Sequence, residues 1–161
     1  MIGKSCWPED YISKLVIKHE NRVYRTAISI MKNRADAEDI VQDVFIKVMQ
    51  KAPNFESDEH ESAWLIRVTI NMCRSRLRTA WLRRTEPLID TYPAQTKEQL
   101  NLIEHVMALP TKYRIVVHLF YYEGYSTKEI SYITNQKEST VRSLLTRARQ
   151  KLKYVLKEDE L

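Results

Sequence analysis

Glycine is nearly absent from this chain, and its scarcity restricts the folds that are open to it. Among 161 residues only Gly3 and Gly124 are glycine. Glycine-rich phosphate loops, dinucleotide-binding turns and tight β-hairpins all need glycine where the backbone adopts positive φ angles. The five prolines lie mostly at the boundaries of periodic segments, where helical proteins tolerate them. Together the two patterns predict an all-α protein.

Cysteine, histidine and hydropathy patterns exclude several functional classes. Cys6 and Cys73 are far apart and outside any CxxC motif, so we expect neither a disulfide framework nor a zinc site. No apolar run approaches the roughly 18 residues of a membrane span, and the N-terminus lacks the apolar stretch of a signal peptide. The four histidines form no HExxH or triad-like pattern. We therefore expect a cytoplasmic protein with no metal, cofactor, small-molecule substrate or enzymatic activity.

The net charge of +5 conceals two strongly basic segments. Residues 67–84 contain six arginines and no acid, and residues 137–157 contain seven basic residues and one acid, Glu138. These segments together carry +12, so the remainder of the chain carries −7. Two basic patches on an otherwise acidic protein indicate two contacts with a phosphate backbone. Two merely solvated helix faces are the alternative.

Hydrophobic periodicity predicts three helices in the first half of the chain. They span residues 15–31, 36–51 and 62–82, with Asp36 as the N-cap of the second. An acidic loop at residues 54–61 precedes the third. Each helix has apolar residues on one side and polar residues on the other, as expected of helices that share a core.

The second half begins after residues 82–96, which contain two prolines, show no sustained periodicity and are typical of a linker. Four helices are predicted, at residues 99–109, 112–122, 126–133 and 137–156. Gly124 suits the left-handed position after a helix, and Ser126 with Glu129 predicts a capping box.

The last two helices form a helix-turn-helix pattern, whose second helix lies in the major groove of DNA. Its outward positions carry Thr140, Arg142, Ser143, Thr146, Arg147 and Arg149. Its inner face carries Val141, Leu144 or Leu145, Ala148 and Leu152. Arginine binds guanine through two hydrogen bonds, whereas a lysine such as Lys151 contacts phosphates. A three-helix bundle with a basic surface is the alternative.

Three stretches of the chain resemble regions of the sigma-70 family. Region 4 is similar to residues 109–152, of which STVRSLLTRARQKL is the most specific part. Region 2.2 is similar to RADAEDIVQDVFIKVMQ at residues 34–50, and regions 2.3 and 2.4 to AWLIRVTINMCRSRLR at residues 63–78. The order of these stretches and the absence of a middle domain resemble the extracytoplasmic-function (ECF) group of sigma factors.

The resemblance implies two small helical domains joined by a flexible linker. A region 2 helical bundle would occupy residues 10–81, the linker residues 82–96, and a region 4 helix-turn-helix domain residues 97–157. Such a protein binds core RNA polymerase and directs promoter recognition and transcription initiation.

The resemblance also assigns roles within region 2. The docking contact with the β′ clamp helices of core RNA polymerase matches Asp39, Gln42 and Asp43. Contact with the −10 promoter element matches Phe55, His60, Arg67, Asn71, Arg74, Arg76 and Arg78. Family members capture a flipped base in a loop that matches residues 55–61, although the acidic side chains of this stretch repel strand phosphates. Trp64 is expected in the core.

Within region 4 the resemblance implies contact with the −35 element of promoter DNA. The matching residues are Thr140, Arg142, Ser143, Thr146, Arg147, Arg149 and Lys151. Leu144 stands at a position that is commonly basic in the family, and Thr146 at one that is often aromatic or His, so the base preference does not carry over. Residues 117–121 match a contact with the β flap, although packing in the core is the favoured interpretation of the same residues. An anti-sigma factor, commonly membrane-anchored, is the other partner that the resemblance implies.

A stand-alone helix-turn-helix regulator is the competing hypothesis. Such a regulator would bind duplex promoter DNA tightly without polymerase, whereas a sigma factor of this group would bind it weakly alone.

Overall fold

The computed structural model describes residues 9–80 and 97–159, and all regular structure within these ranges is helical. The all-α prediction is therefore confirmed. The chain divides into two compact units, Met1–Ile89 and Asp90–Leu161. The linker predicted at residues 82–96 lies outside the described residues. In the described part of the chain, no helix is long and apolar enough to cross a membrane.

Three helices form the first unit: α1 (Glu9–Met31), α2 (Arg34–Lys51) and α3 (Asp58–Ala80). Each packs against the other two, and removal of their apolar faces from water stabilises the unit. The shared core includes Leu15, Val23, Ala27, Ile40, Val44, Val48, Leu65, Ile66 and Ile70. Helix α1 begins six residues before the predicted start at residue 15.

The N-cap of α2 is Asn33, and the prediction of Asp36 is wrong. Asn33 has an extended backbone, with φ of −139° and ψ of 124°, and its side-chain oxygen accepts a hydrogen bond from the Asp36 amide at 3.0 Å. Asp36 lies within the first turn, where a carboxylate still favours the positive end of the helix dipole. The cap is the residue whose backbone is not yet helical, and here that residue lies three positions earlier.

Helix α3 begins at Asp58, four residues before the predicted start, so the predicted loop at 54–61 is too long. Ser57 explains the early start, because its hydroxyl accepts a hydrogen bond from the His60 amide at 3.1 Å. The acidic residues that suggested a loop instead occupy the first helical turn, where the dipole favours them.

The second unit contains α4 (Lys97–Ala108), α5 (Thr111–Val117), α6 (Thr127–Thr134) and α7 (Glu138–Asp159). A π-helical turn, His118–Tyr122, follows α5 directly, where the sequence predicted continuous α-helix. Helix α7 packs against α4, α5 and α6. The core of this unit includes Met107, Ile115, Val116, Leu119, Ile130, Ile133, Val141, Leu145 and Ala148.

Predicted turn chemistry is confirmed around α6. Gly124 has a φ of 76°, the left-handed conformation that glycine adopts without steric cost. Ser126 and Glu129 form the predicted capping box, with reciprocal hydrogen bonds of 3.1 and 3.2 Å. Asn135, with φ of 54°, ends α6 and turns the chain into α7.

The buried Cys73 thiol generates a test of the packing in the first unit. Burial raises the pKa of Cys73 to about 12, and the positive charge of Arg76 offsets only part of this shift. Because alkylation requires the thiolate, iodoacetamide at pH 8 should modify Cys73 in the folded protein roughly a thousandfold more slowly than an ordinary thiol. A Cys6→Ser variant leaves Cys73 as the single reactive sulfur for measurement by mass spectrometry. The same variant unfolded in urea is the control, and equal rates in the two states would contradict the burial.

Candidate nucleic-acid interface

One face of α3 combines aromatic, amide and cationic side chains. Its positions recur at intervals of four and three residues, which places them on the same side of the helix. The face carries, in order, His60, Trp64, Arg67, Asn71, Arg74 and Arg78, all of them partly or fully exposed. Over 18 residues at 1.5 Å per residue it extends for about 27 Å. Partial burial lowers the pKa of Arg74, but a guanidinium keeps its charge at neutral pH.

An aromatic cluster lies at the N-terminal end of this face. The Phe55 ring is edge-on to His60, with centroids 5.5 Å apart, and edge-on to Trp64 at 5.6 Å. The Glu56 amide donates to His60 Nδ1 at 3.2 Å, which fixes the orientation of the imidazole ring. Trp64, expected in the core, is partly exposed instead. Its spacing of four residues from His60 was the available sign that the two rings share a face.

A buried carboxylate anchors the first turn of α3 to α1. Glu61 is 8% exposed, lies 2.6 Å from His19 Nε2, and accepts a hydrogen bond from the Tyr11 hydroxyl at 3.1 Å. Burial beside Glu61 raises the pKa of Tyr11. Lys18 pairs with Asp58 at 2.8 Å and lowers the pKa of that carboxyl. These contacts compensate two of the charges that made the predicted loop acidic.

Arg76 lies off the α3 face and toward α2. Its Nη2 atom is 2.9 Å from an Asp39 carboxylate oxygen and 3.5 Å from Asp36. The ion pair therefore joins a predicted DNA contact to a predicted polymerase contact. The geometry does not support Arg76 as a phosphate contact alongside Arg74 and Arg78.

The exposed side of α2 is mixed in character. Gln42 and Asp43 are exposed, as predicted for a docking strip. Ile46 and Met49 follow at helical spacing and are 45% and 37% exposed. These two apolar side chains are therefore not part of the buried core of the unit. The side chains of this surface therefore suit a partner with both polar and apolar contacts.

Helix α7 presents the predicted outward residues to solvent. All seven predicted −35 residues, Thr140, Arg142, Ser143, Thr146, Arg147, Arg149 and Lys151, are exposed. Leu144 and Leu145 both belong to the core, with 7% and 1% exposure. Leu144 therefore lies on the inner face of α7. The Thr146 hydroxyl donates to the Arg142 carbonyl at 2.9 Å.

The cations of α7 differ in their surroundings. The Arg142 side chain is 63% exposed, with its Nη1 atom 4.0 Å from Glu138. Arg149 instead donates a hydrogen bond to the Tyr121 hydroxyl and lies over aromatic rings of the π-helical turn. The Lys151 ammonium is 5.7 Å from the centre of the Tyr113 ring. Periodicity alone did not separate these environments.

A hydrogen bond joins the two helices of the helix-turn-helix. The Thr127 hydroxyl, at the start of α6, donates to Glu138 at the start of α7 over 2.9 Å. Glu138 is the one acid of the C-terminal basic segment, and its contact connects the helices across the turn. Among the residues that the structure describes, no group of three His, Cys, Asp or Glu side chains is arranged to hold a metal ion.

Comparison with known proteins covers both units. The family model for sigma-70 region 2 matches residues 15–83, and that for sigma-70 region 4 matches residues 99–152. The ECF RNA polymerase sigma factor SigM of Mycobacterium tuberculosis is 32% identical over 148 residues, which cover 89% of this chain and 76% of SigM. The ECF RNA polymerase sigma factor SigW of Bacillus subtilis is 25% identical, with 93% of this chain and 91% of SigW covered.

A solved structure shares the fold. The sigma factor RpoE of Bartonella quintana, crystallised with the anti-sigma factor NepR, superposes with a TM-score of 0.79 at 24% identity and covers 93% of this chain and 98% of its own. The region 2 match removes support for a stand-alone helix-turn-helix regulator. Both halves of the sequence and the identity to SigM lead to one conclusion: the chain belongs to the ECF group of sigma-70 family sigma factors.

Proposed function

We propose that this sigma factor docks on core RNA polymerase through α2, captures the melted −10 strand on α3 and reads the −35 element with α7. The main support for this proposal is the continuous face of α3. Single-stranded nucleic acid binds where aromatic rings stack on bases and cations follow phosphates, and this face provides both in sequence. The aromatic cluster receives a base, and Arg67, Arg74 and Arg78 follow the strand beyond it.

The anchoring of α3 makes base capture physically reasonable. Flipping a base requires unstacking, which costs about a few kcal/mol and is offset best by a preformed pocket. The hydrogen bond to His60 and the Glu61 anchor order the cluster before DNA arrives. The pairing of Asp58 with Lys18 reduces repulsion of strand phosphates.

Helix α7 is proposed to read duplex DNA through Arg142, Ser143 and Arg147. These residues lie in its N-terminal half, the part of a recognition helix that contacts base edges. Their exposure and the absence of any acid between residues 139 and 157 favour a phosphate-lined groove.

The docking surface on α2 is proposed to be Gln42 and Asp43 with Ile46 and Met49. Polar contacts set partner choice and on-rate, while apolar side chains at the centre supply most of the binding energy. Asp39 already holds Arg76, so it contributes to docking only after that ion pair is rearranged.

A groove of about 630 Å³ in the second unit is proposed for the β flap. Leu102 and Tyr121, which line it, are 42% and 57% exposed, and Arg149, Lys153 and Lys157 line it as well. By analogy with the RpoE–NepR complex, we also propose control by an anti-sigma factor. The protein would act in the cytoplasm, where core polymerase is found, and would catalyse no reaction itself.

Transcription in vitro tests the proposal as a whole. Core RNA polymerase is supplied with a pool of genomic promoter fragments, with and without this protein. New discrete start sites only in its presence would support the sigma role and identify the −10 and −35 sequences. Tight binding to duplex DNA without polymerase and no new transcripts would contradict it.

Replacing Arg147 by Ala should weaken −35-dependent transcription by about 1–3 kcal/mol, because a bidentate base contact is lost. The mutant should also discriminate less between the −35 element and a scrambled sequence. Lys151→Ala is the matched comparison, since loss of a phosphate contact weakens all sequences alike. Unchanged discrimination in Arg147→Ala would contradict base reading by this residue.

Replacing Gln42 and Asp43 together by Ala should weaken binding to core RNA polymerase by about 1–2 kcal/mol without unfolding α2. Affinity is measured by titration of fluorescently labelled protein with core enzyme. Glu20→Ala with Asn21→Ala removes a matched acid and amide from the exposed surface of α1 and should leave affinity unchanged. Equal affinities for both variants would show that docking occurs elsewhere.

Replacing Phe55 by Ala should weaken capture of the melted −10 strand by about 1–3 kcal/mol, the usual contribution of one stacked base. Holoenzyme binding to a fork-junction promoter with 2-aminopurine in the −10 strand reports base capture as fluorescence. Ile17→Ala, at a 76% exposed apolar position of α1, is the control. Wild-type fluorescence in Phe55→Ala would rule out the aromatic cluster as the capture site.

A further inference from the structure

The attachment of α7 to the rest of its unit sets one arginine apart from the others. Arg149 follows Arg142 by seven residues, so both lie along one line of the helix, about 10 Å apart. Arg142 extends into solvent, whereas Arg149 is packed against the π-helical turn. The sequence predicts a DNA contact for both, Arg142 at a base-contact position and Arg149 near phosphates, and the tertiary contacts separate them further.

Arg149 contacts two aromatic rings at once. Its guanidinium carbon lies 5.7 Å from the centre of the Phe120 ring and 5.6 Å from that of Tyr121, within cation–π range. Its Nε–H donates to the Tyr121 hydroxyl. The two rings are themselves edge-to-face, with centroids 4.9 Å apart. Because the guanidinium is planar, it makes these contacts in a geometry that the ammonium group of a lysine does not reproduce.

The π-helical turn is what brings these rings to α7. A π turn contains one residue more than an α turn, which shifts the side chains that follow it around the helix axis. Here Tyr121 is turned outward while Leu119 stays fully buried. The ring centroids of His118 and Tyr122 are stacked 5.4 Å apart, and His118 Nε2 lies 3.3 Å from a carboxylate oxygen of Glu123. These contacts of the buried His118 stabilise the turn.

Besides its buried inner face, the recognition helix has polar attachments at two places. At its start Glu138 accepts the hydrogen bond from Thr127, and eleven residues later Arg149 donates a hydrogen bond to Tyr121 of the π-helical turn. Arg142, Ser143 and Arg147 lie between these attachments. Together with the buried inner face, two polar attachments about 16 Å apart restrict the tilt of the helix more tightly than one of them would.

We propose that Arg149, with Phe120 and Tyr121, is a positioning residue that sets the tilt of α7 and thereby the accuracy of −35 reading. It acts through the helix and is not itself a phosphate contact. This inference rests on the proposed function of α7, because it concerns how that helix is presented to DNA.

Salt dependence separates the two roles for Arg149. Loss of a phosphate contact makes the negative slope of log affinity against log salt shallower by about 1, whereas loss of a positioning contact leaves the slope unchanged. We would measure holoenzyme affinity for promoters with the −35 element intact or scrambled, between 50 and 200 mM salt. The ratio of the two affinities cancels any change in −10 capture. Affinity for core RNA polymerase, measured for each variant, shows whether the groove proposed for the β flap, which Tyr121 and Arg149 line, has changed as well.

Arg149→Met should reduce the ratio about five- to tenfold at an unchanged salt slope. Arg149→Lys, which keeps the charge, should lose most of the same discrimination, and Tyr121→Phe, which keeps the ring, should lose part of it. Adding Tyr121→Phe to Arg149→Met should cause no further loss, because both act through one contact. Lys151→Met, which removes the proposed phosphate contact, is the positive control, with a slope shallower by about 1.

A shallower slope in Arg149→Met, or wild-type discrimination in Arg149→Lys, would overturn the inference. Melting temperature identifies any variant that fails to fold, and the milder Arg149→Lys and Tyr121→Phe then decide the question. If the wild-type holoenzyme itself fails to distinguish intact from scrambled −35 DNA, the proposed function of α7 fails instead.

Discussion

The buried carboxylate of Glu61 holds together the surface on which the first unit depends. An ionised or hydrogen-bonding group at 8% exposure is costly unless it is paired, and Glu61 is paired with His19 and Tyr11 of α1. The contact fixes the first turn of α3 against α1, and the aromatic cluster is built on that turn. The face of α3 is 27 Å long, at about 1.5 Å per residue. Its arginines can follow a strand whose base is bound in the cluster only if this first turn is held in place.

In the second unit, too, paired polar side chains hold a helix in place, here the proposed recognition helix α7. This helix is positioned by hydrogen bonds at its start and near its middle, while apolar contacts hold its inner face. In both units the side chains that orient the proposed DNA-binding residues are paired with side chains of another element. Preorganisation of this kind lowers the cost of binding, because fewer side chains must be ordered when the partner arrives.

Local signals in the sequence were sufficient for most of the fold. Glycine scarcity and periodicity indicated an all-α chain, and the Ser126–Glu129 box and Gly124 marked the turns around α6 correctly. The errors lie at helix starts. Acidic residues at 58–61 are compatible with a loop and with a first helical turn alike, and the cap of Ser57 decides between them. The π-helical turn had no sequence signal, since its residues are ordinary helix formers.

What the sequence by itself determined is the helical class, the helix-turn-helix, the two basic segments and the resemblance that the comparisons confirmed. Only the tertiary structure decided which arginines are paired with side chains of another element of the fold. Arg76 is bound by Asp39, 37 residues earlier, and Arg149 by Tyr121, 28 residues earlier. Periodicity states where a side chain lies around its own helix axis. The charge or ring that it meets belongs to another helix, and packing alone brings the two together.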